Sequence, residues 1–384
     1  MPNRTPLERQ LLEKAAQYLP GGNTGNMTVR EDLNFLVREG RGSHILDVSG
    51  NEYVDWLMGS GPMVLGHAHP AVVEAVMKAV EQGSTFFTTN EKAVLLAEEL
   101  VNSVPCAEKV RFTTSGTDAC FQAMRAARAY RLRDKVLKFE GGFHGTSDYA
   151  LMSVTNSGGE EYPQAVANSG GIPSVIQELM LIAPFNDLDT TTSIIEAHHD
   201  ELAAVIVEPL QRMIAPQPGF LNGLRQLTAR YQIPLIFDEV VTGFRFSPGG
   251  AQGLHGITPD LCSLAKVLTG GTPGGAVAGR ADIMALMDMS GDHQHDRFQR
   301  VWHLGTFNAA PICAAAGIAV LEQVATGQPI ERANALAAKL RTDWEDILER
   351  HGIAGYVYGP CSTFHVYFET DSERVNGAST RQDL

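Results

Sequence analysis

A lysine, an acid and a serine-glycine-threonine turn stand at the ends of three separate apolar runs in this 384-residue chain. Lys266 follows Leu261-Cys-Ser-Leu-Ala265, and glycines crowd in behind it at Gly270, Gly271, Gly274 and Gly275. A lysine partly desolvated near other cations loses proton affinity and becomes an amine nucleophile able to form a Schiff base; a solvated lysine just past a strand is the plain alternative. Asp238 ends Ile233-Pro-Leu-Ile-Phe237. A carboxylate at the end of a buried run is costly to desolvate unless it meets a cation, either Arg245 or another internal base, or a protonated pyridine nitrogen. Ser115-Gly116-Thr117 closes one run and opens an amphipathic one. Its backbone N–H groups and two hydroxyls suit a phosphate or an ordinary helix cap. With the aromatic ring of Phe143 these are the four parts needed to hold pyridoxal 5′-phosphate (PLP). The cradle grips the phosphate and Phe143 covers one ring face. Asp238 keeps the ring nitrogen protonated, so that the ring is an electron sink, and Lys266 binds the aldehyde and moves protons.

These residues need a scaffold that brings chain-distant points together. Short apolar runs at Val110–Thr113, Val136–Phe139, Leu179–Pro184, Ala203–Val207, Pro234–Phe237, Leu261–Leu264 and Gly275–Ala278 read as strands. Helix-like stretches at Asp118–Leu132, Thr191–His199 and Gly223–Tyr231 lie among them. Such alternation predicts an α/β fold with a mostly parallel sheet covered on both faces. Ligands of such sheets sit outside the carboxyl ends of the strands. Five strands are followed there by Thr114–Thr117, Gly141–Gly145, Glu208-Pro209, Asp238-Glu239 and Ala265-Lys266, which predicts one composite pocket. The chain ends differ. Ile45–Val48 and Tyr53–Trp56 flank Ser49-Gly50-Asn51-Glu52, a hairpin signature. Ala314–Ala325 and Ile330–Arg350 read as helices separated by Thr326–Pro329, and Phe364–Phe368 alternates as a strand. The two ends are expected to meet in a smaller α+β part.

Composition bounds the rest. Apolar residues are 44% and charged residues 19% of the chain, enough for a large core and against disorder. A net charge of −14 argues against a nucleic-acid partner, which needs a basic face. No apolar stretch is long enough to span a membrane, and the first residues lack a secretory core, with Glu8 and Glu13 against a transit peptide. Five scattered cysteines without a CxxC pair argue against a disulfide framework. Gly66-His-Ala-His69 and Gly253-Leu-His-Gly256 lack companion ligands, and neither HExxH nor GxxxxGK[ST] occurs, so no metal or P-loop site is expected. The reading is of a soluble, cytoplasmic protein.

The motifs in order resemble the class III (subgroup II) aminotransferases, nearest their glutamate-1-semialdehyde 2,1-aminomutase-like branch. They are GSGPMVLGHAHP (59–70), KVRFTTSGTDA (109–119), KFEGGFHG (138–145), AAVIVEP (203–209), LIFDEVVTGFR (235–245), TPDLCSLAKVLTGG (258–271) and HLGTFNAAP (303–311). The resemblance implies the PLP-dependent transferase fold of type I, a seven-stranded mostly parallel sheet with a smaller α+β domain from both chain ends. It implies a division into 1–60, 61–312 for the PLP-binding large domain, and 313–384, a C-terminal part that reads as truncated because the family's small domain normally continues past this point.

The resemblance also implies roles. Lys266 would bind PLP covalently, Asp238 would pair with the ring nitrogen, and Val240 would pack opposite Phe143. Ser115, Gly116 and Thr117 would hold the phosphate, while Glu208 would lie near the cofactor and His144 would position. Thr306 would reach the phosphate of a neighbouring subunit, which implies a homodimer with shared sites. Three departures stand out. Phe143 stands where the family often has Tyr, Phe-Asn-Ala-Ala-Pro follows Thr306, and Asn23–Arg30 replaces a VNSPVR-like segment. Arg30 could meet a substrate carboxylate, and Trp56 could wall the substrate pocket. The expected reaction is amino transfer from an amino acid or amine donor to a keto acid or aldehyde acceptor. The alternatives are intramolecular transfer, as in glutamate-1-semialdehyde aminomutase, and a non-catalytic PLP-fold protein.

Overall fold

A computed structural model describes residues 3–25, 30, 33–155 and 161–368 of the chain. It begins with α1 (Pro6–Tyr18) and a three-stranded antiparallel sheet, β1 (Val37–Arg41), β2 (His44–Asp47) and β3 (Glu52–Val54). The predicted hairpin is there because Gly50 takes the left-handed turn at φ 88° and buried Asp47 ties both strands. Its carboxylate accepts from Asn51 N and Nδ2 at 2.8 Å and from Tyr53 Oη at 3.0 Å. Two helices that the sequence reading did not assign follow, α2 (Pro70–Gln82) and α3 (Glu91–Ser103). Proline in the first turn starts α2, and Asn90 caps α3 by accepting from Ala93 N at 3.0 Å.

The central sheet is built from β4 (Lys109–Thr113), β5 (Lys135–Phe139), β6 (Met180–Ala183), β7 (Leu202–Val207), β8 (Leu235–Asp238), β9 (Leu261–Ala265) and β10 (Gly275–Gly279). Their spatial order is β4-β10-β9-β8-β7-β5-β6, with β10 antiparallel to both neighbours and the rest parallel. This is the mostly parallel seven-stranded sheet expected, and each predicted strand lies within a residue or two of its place. Every residue of β7 is buried, as continuous apolar runs covered on both faces require. The helices that cover it include α4 (Gly116–Arg131), α5 (Leu188–His198), α6 (Phe220–Arg230), the short α7 (Gly250–His255) and α8 (Ala281–Met284); α9 (His293–Phe298), which buries no residue, and α10 (Pro311–Val324) follow. Between the sheet and its covering elements, Phe139, Phe185 and Phe220 pack edge to face at 5.2–6.0 Å.

The chain continues through α11 (Gln328–Arg350) to the hairpin β11 (Gly355–Tyr358) and β12 (His365–Phe368). The linker before α11 is shorter than the sequence reading drew it. Gln328 and Pro329 already belong to the helix, because proline is at home in a first turn and Gly327 makes the bend at φ 75°. Trp56 meets Phe364 edge to face at 6.1 Å, so the two chain ends do come together. α10 is buried nearly all round and packs on α2 and α3, with Ala314, Val320, Leu321 and Val324 inside the main core. On that packing we propose that the C-terminal domain boundary follows Val324 rather than Ile312; residues 369–384 lie outside the described part. Among the described residues no helix is long and apolar enough to cross a membrane.

Candidate active site

A cavity of about 1130 Å³ opens at the carboxyl ends of the sheet strands. Ser115, Gly116, Thr117, Phe143, His144, Glu208, Asp238, Val240 and Lys266, which come from five strand ends, all line it. Trp56 lines it too, with Phe364 and its neighbours from the other chain end. Arg30 and Thr306 are exposed and are not part of this lining. Residues 26–29 of the Asn23–Arg30 segment lie outside the described part.

Asp238 is the electrostatic centre. Sheet register sets Asp238 opposite Ser263 on the neighbouring strand, and Ser263 Oγ donates to Asp238 Oδ1 at 3.1 Å. The Val240 N–H donates to the same oxygen at 3.1 Å. His144 Nδ1 lies 2.7 Å from Oδ2. Cys120 Sγ lies 3.2 Å from Oδ2 and 3.2 Å from Ser263 Oγ. Burial pushes the Asp238 carboxyl up, but hydrogen bonds from His144, the Val240 N–H and the Cys120 thiol together hold it below the usual carboxylate range. Burial lowers the His144 pKa, and Asp238 offsets only part of that. The pair is therefore a neutral imidazole donating from Nδ1 to a carboxylate, a tautomer assigned from the network. His144 Nε2 is buried without a partner among the described residues.

Lys266 directly follows β9 with φ 53°, an uncommon left-handed conformation for a side chain of this size and one that tends to mark functional sites. Buried Val267 and Leu268 hold it there. Burial lowers its pKa, and Arg245 and Arg212 lower it further, against the pull of Asp238 and Glu208. Glu208 is pushed up to about 8, first by burial and then by Asp238, although it accepts from Phe143 N at 2.9 Å.

Ser115 caps α4 through Asp118 N at 3.2 Å, so its hydroxyl does serve as a cap, and Gly116 and Thr117 of the first helical turn line the cavity. A Cβ on Gly116 would stand 2.9 Å from both methyls of Val240. The helix start is thus pressed against Val240, with no room for a side chain between. Gly116→Ala is expected to cost about 1–3 kcal/mol of local overpacking. PLP affinity should fall roughly tenfold, read by cofactor titration of apoprotein. An unchanged affinity would detach this turn from the phosphate.

Other residues entered the site without being singled out in the sequence. Cys120 lies one helical turn past Gly116, and Ser263 shares its strand face with Ala265, so periodicity could have found both. Lys138 is fully buried. Its ammonium donates to the carbonyls of Gly142 at 2.9 Å, Ala150 at 3.1 Å and Met152, which pins the loop that carries Phe143. Burial draws its pKa down to about 7. A lysine inside an apolar strand just before two glycines was the available signal. Arg212 sits 5.2 Å over the Phe143 ring.

The residues present fit PLP. A carboxylate held ionised while nearly buried, with only a neutral imidazole and hydroxyl-type donors around it, suits a cationic ring nitrogen. Phe143, two-fifths exposed into the cavity, and Val240 offer two walls for a ring. The side-chain-free helix start at Gly116 offers a phosphate cradle.

A family model for class III aminotransferases matches residues 27–373. The glutamate-1-semialdehyde 2,1-aminomutase of Methanocaldococcus jannaschii is 39% identical over 378 residues, 97% of this chain and 85% of that protein. Among solved structures, an omega-transaminase from Sphaerobacter thermophilus superposes with a TM-score of 0.89 at 37% identity, over 95% of this chain and 83% of that one. A transaminase with PLP bound gives 0.87 at 32% identity, over 97% of this chain and 85% of that one.

Proposed function

The chain belongs to the class III aminotransferases and is a PLP-dependent enzyme, and within that family we propose that it moves an amino group between carbons of one substrate, as a glutamate-1-semialdehyde 2,1-aminomutase. The observation that carries this reading is the name borne by curated relatives that are 37–40% identical across nearly the whole chain. Transfer between two different molecules, which the sequence reading placed first, is kept as a second reading. The omega-transaminase structure, at 37% identity and TM-score 0.89, favours it.

PLP, when bound, supplies an aldehyde for a covalent link to an amine and a ring that stores the electron pair left when a C–H bond is broken. In our reading Lys266 provides the amine and then moves the proton at the substrate carbon. Its lowered pKa leaves a larger fraction neutral at physiological pH. Asp238, oriented by His144 and Ser263, holds the ring nitrogen's proton. Ser115, Gly116 and Thr117 bind phosphate. Phe143 and Val240 fix the ring plane, and Lys138 holds the Phe143 loop. Trp56 and Phe364, packed edge to face, give the cavity an aromatic wall.

We place Thr306 at a homodimer interface. Leu304, Phe307, Phe86 and Phe87 are exposed large apolar residues, and the Asn90 side chain joins their two segments by donating to the Ala309 carbonyl at 2.9 Å. A cytoplasmic location accords with five free thiols.

Incubation of the PLP-loaded enzyme with glutamate-1-semialdehyde alone tests the function. The expected result is 5-aminolevulinate at multiple turnovers per site without an added acceptor. Turnover that depends on an added keto acid would replace this reading with intermolecular transfer.

A further inference from the structure

The cavity holds three cationic side chains among its described lining, and two are already committed. Lys266 is assigned to the cofactor. Arg245 is largely buried, donating from Nε to Val241 O at 3.3 Å and from Nη2 to Gly61 O. Arg212 differs from both. Its Nε donates to Gly141 O at 3.1 Å, its guanidinium carbon stands 5.2 Å over the Phe143 ring, and its two terminal nitrogens have no hydrogen-bond or carboxylate partner among the described residues.

The backbone presents this side chain deliberately. Arg212 and Met213 both have positive φ, 50° and 71°, in a tight turn closed by the bridge between Gln211 and Ile214. Buried Gln211 anchors that turn by donating from Nε2 to Glu140 O at 2.7 Å. Two consecutive left-handed residues that are not glycine are costly, and such strain concentrates where a side chain must be aimed. One edge of the guanidinium is thus fixed by Gly141 and the ring of Phe143, while the outer edge keeps two N–H-bearing nitrogens for a planar anion.

We propose that Arg212 is the specificity residue of this cavity and binds, through the outer edge of its guanidinium, a substrate carboxylate remote from the reacting amine. The inference rests on the reading of the cavity as a site of amino transfer and adds the residue that recognises the carboxylate of such a substrate. Arg30, the cation singled out in the sequence for this task, is exposed and outside the cavity lining.

The test uses the PLP-loaded full chain with R212Q and R212K. Glutarate, a five-carbon dicarboxylate without an amino group, serves as the binding probe in calorimetry. Its Kd should rise at least tenfold in R212Q and less in R212K, as expected for loss of a charge-assisted pair. PLP affinity should stay within threefold of wild type. In the half-reaction, followed by loss of cofactor absorbance, the preference for 4-aminobutyrate over butylamine should drop at least tenfold in R212Q. The proposal is overturned if glutarate does not bind the wild type, if its Kd does not move, if both donors lose equally, or if PLP affinity falls with the charge. Failure of the amino-transfer reading looks different: no donor would bleach the wild type, and it would convert no glutamate-1-semialdehyde, whatever glutarate does.

Discussion

Lys266→Ala should reduce turnover by at least about 10³-fold, the scale lost when one side chain serves as both nucleophile and proton carrier. The expectation follows from how the amine is placed. The strand is followed at once by a left-handed residue, Lys266, with buried Val267 and Leu268 directly behind it. No hydrogen bond holds the amine among the described residues, so it is free to react. Burial, Arg245 and Arg212 lower its proton affinity. Lys266→Arg separates charge from nucleophilicity, because arginine keeps the cation but neither loses its proton nor attacks an aldehyde. It should be nearly as inactive as the alanine variant. Added ethylamine should restore part of the activity of Lys266→Ala by supplying the missing base. Borohydride treatment of the PLP-loaded wild type, followed by digestion, should label the peptide containing Lys266. Undiminished turnover of Lys266→Ala without added amine, or a label elsewhere, would refute the assignment.

The order of the strand-end residues carried most of this reading. Strands of a parallel sheet are read from continuous apolar runs, and because ligands sit at their carboxyl ends those runs also point to the site residues. That works for Ser115, Phe143, Glu208, Asp238 and Lys266 because each stands at the carboxyl end of its strand or within four residues of it. It could not work for Arg212, which lies beyond Glu208 in a turn whose conformation depends on Gln211 reaching Glu140 across the sheet end. Lys138 was hidden for another reason. A lysine within a strand reads as an exposed edge position, and only the three carbonyls converging on its ammonium make burial tolerable. Helices α2 and α3 carry start signals, Pro70 in the first turn of one and the Asn90 cap of the other, but they lie before the strand–helix alternation from which the sheet is read. Arg30, as a partner for a substrate carboxylate, and Trp56, as an apolar wall, are separate expectations. The cavity includes Trp56, whose ring reaches Phe364, and leaves Arg30 outside it.

Asp238→Asn should lower kcat by about 10²–10³-fold, the range seen when a group stabilising transition-state charge is removed. The substitution nearly conserves volume, so the loss would come from charge and hydrogen-bond direction. The carboxylate accepts from Ser263 Oγ, the Val240 N–H and His144, with the Cys120 thiol also in reach. An asparagine amide can accept at only one of its two ends, so its NH₂ must face either His144 Nδ1–H or the Ser263 and Val240 donors. His144 can escape by moving its proton to Nε2, which has no other partner among the described residues. The fold should therefore survive, with a melting temperature within a few degrees of wild type, while a cationic ring nitrogen loses its counter-charge. An N-methylated PLP analogue separates the two consequences, because its ring carries a fixed positive charge that needs no proton from the protein side. Wild type should gain nothing from the analogue, whereas Asp238→Asn should recover at least tenfold relative to its rate with PLP. If the variant instead loses stability and the analogue gives no recovery, Asp238 acts mainly as the keystone of the Ser263–Cys120–His144 cluster, and the electrostatic role assigned to it fails.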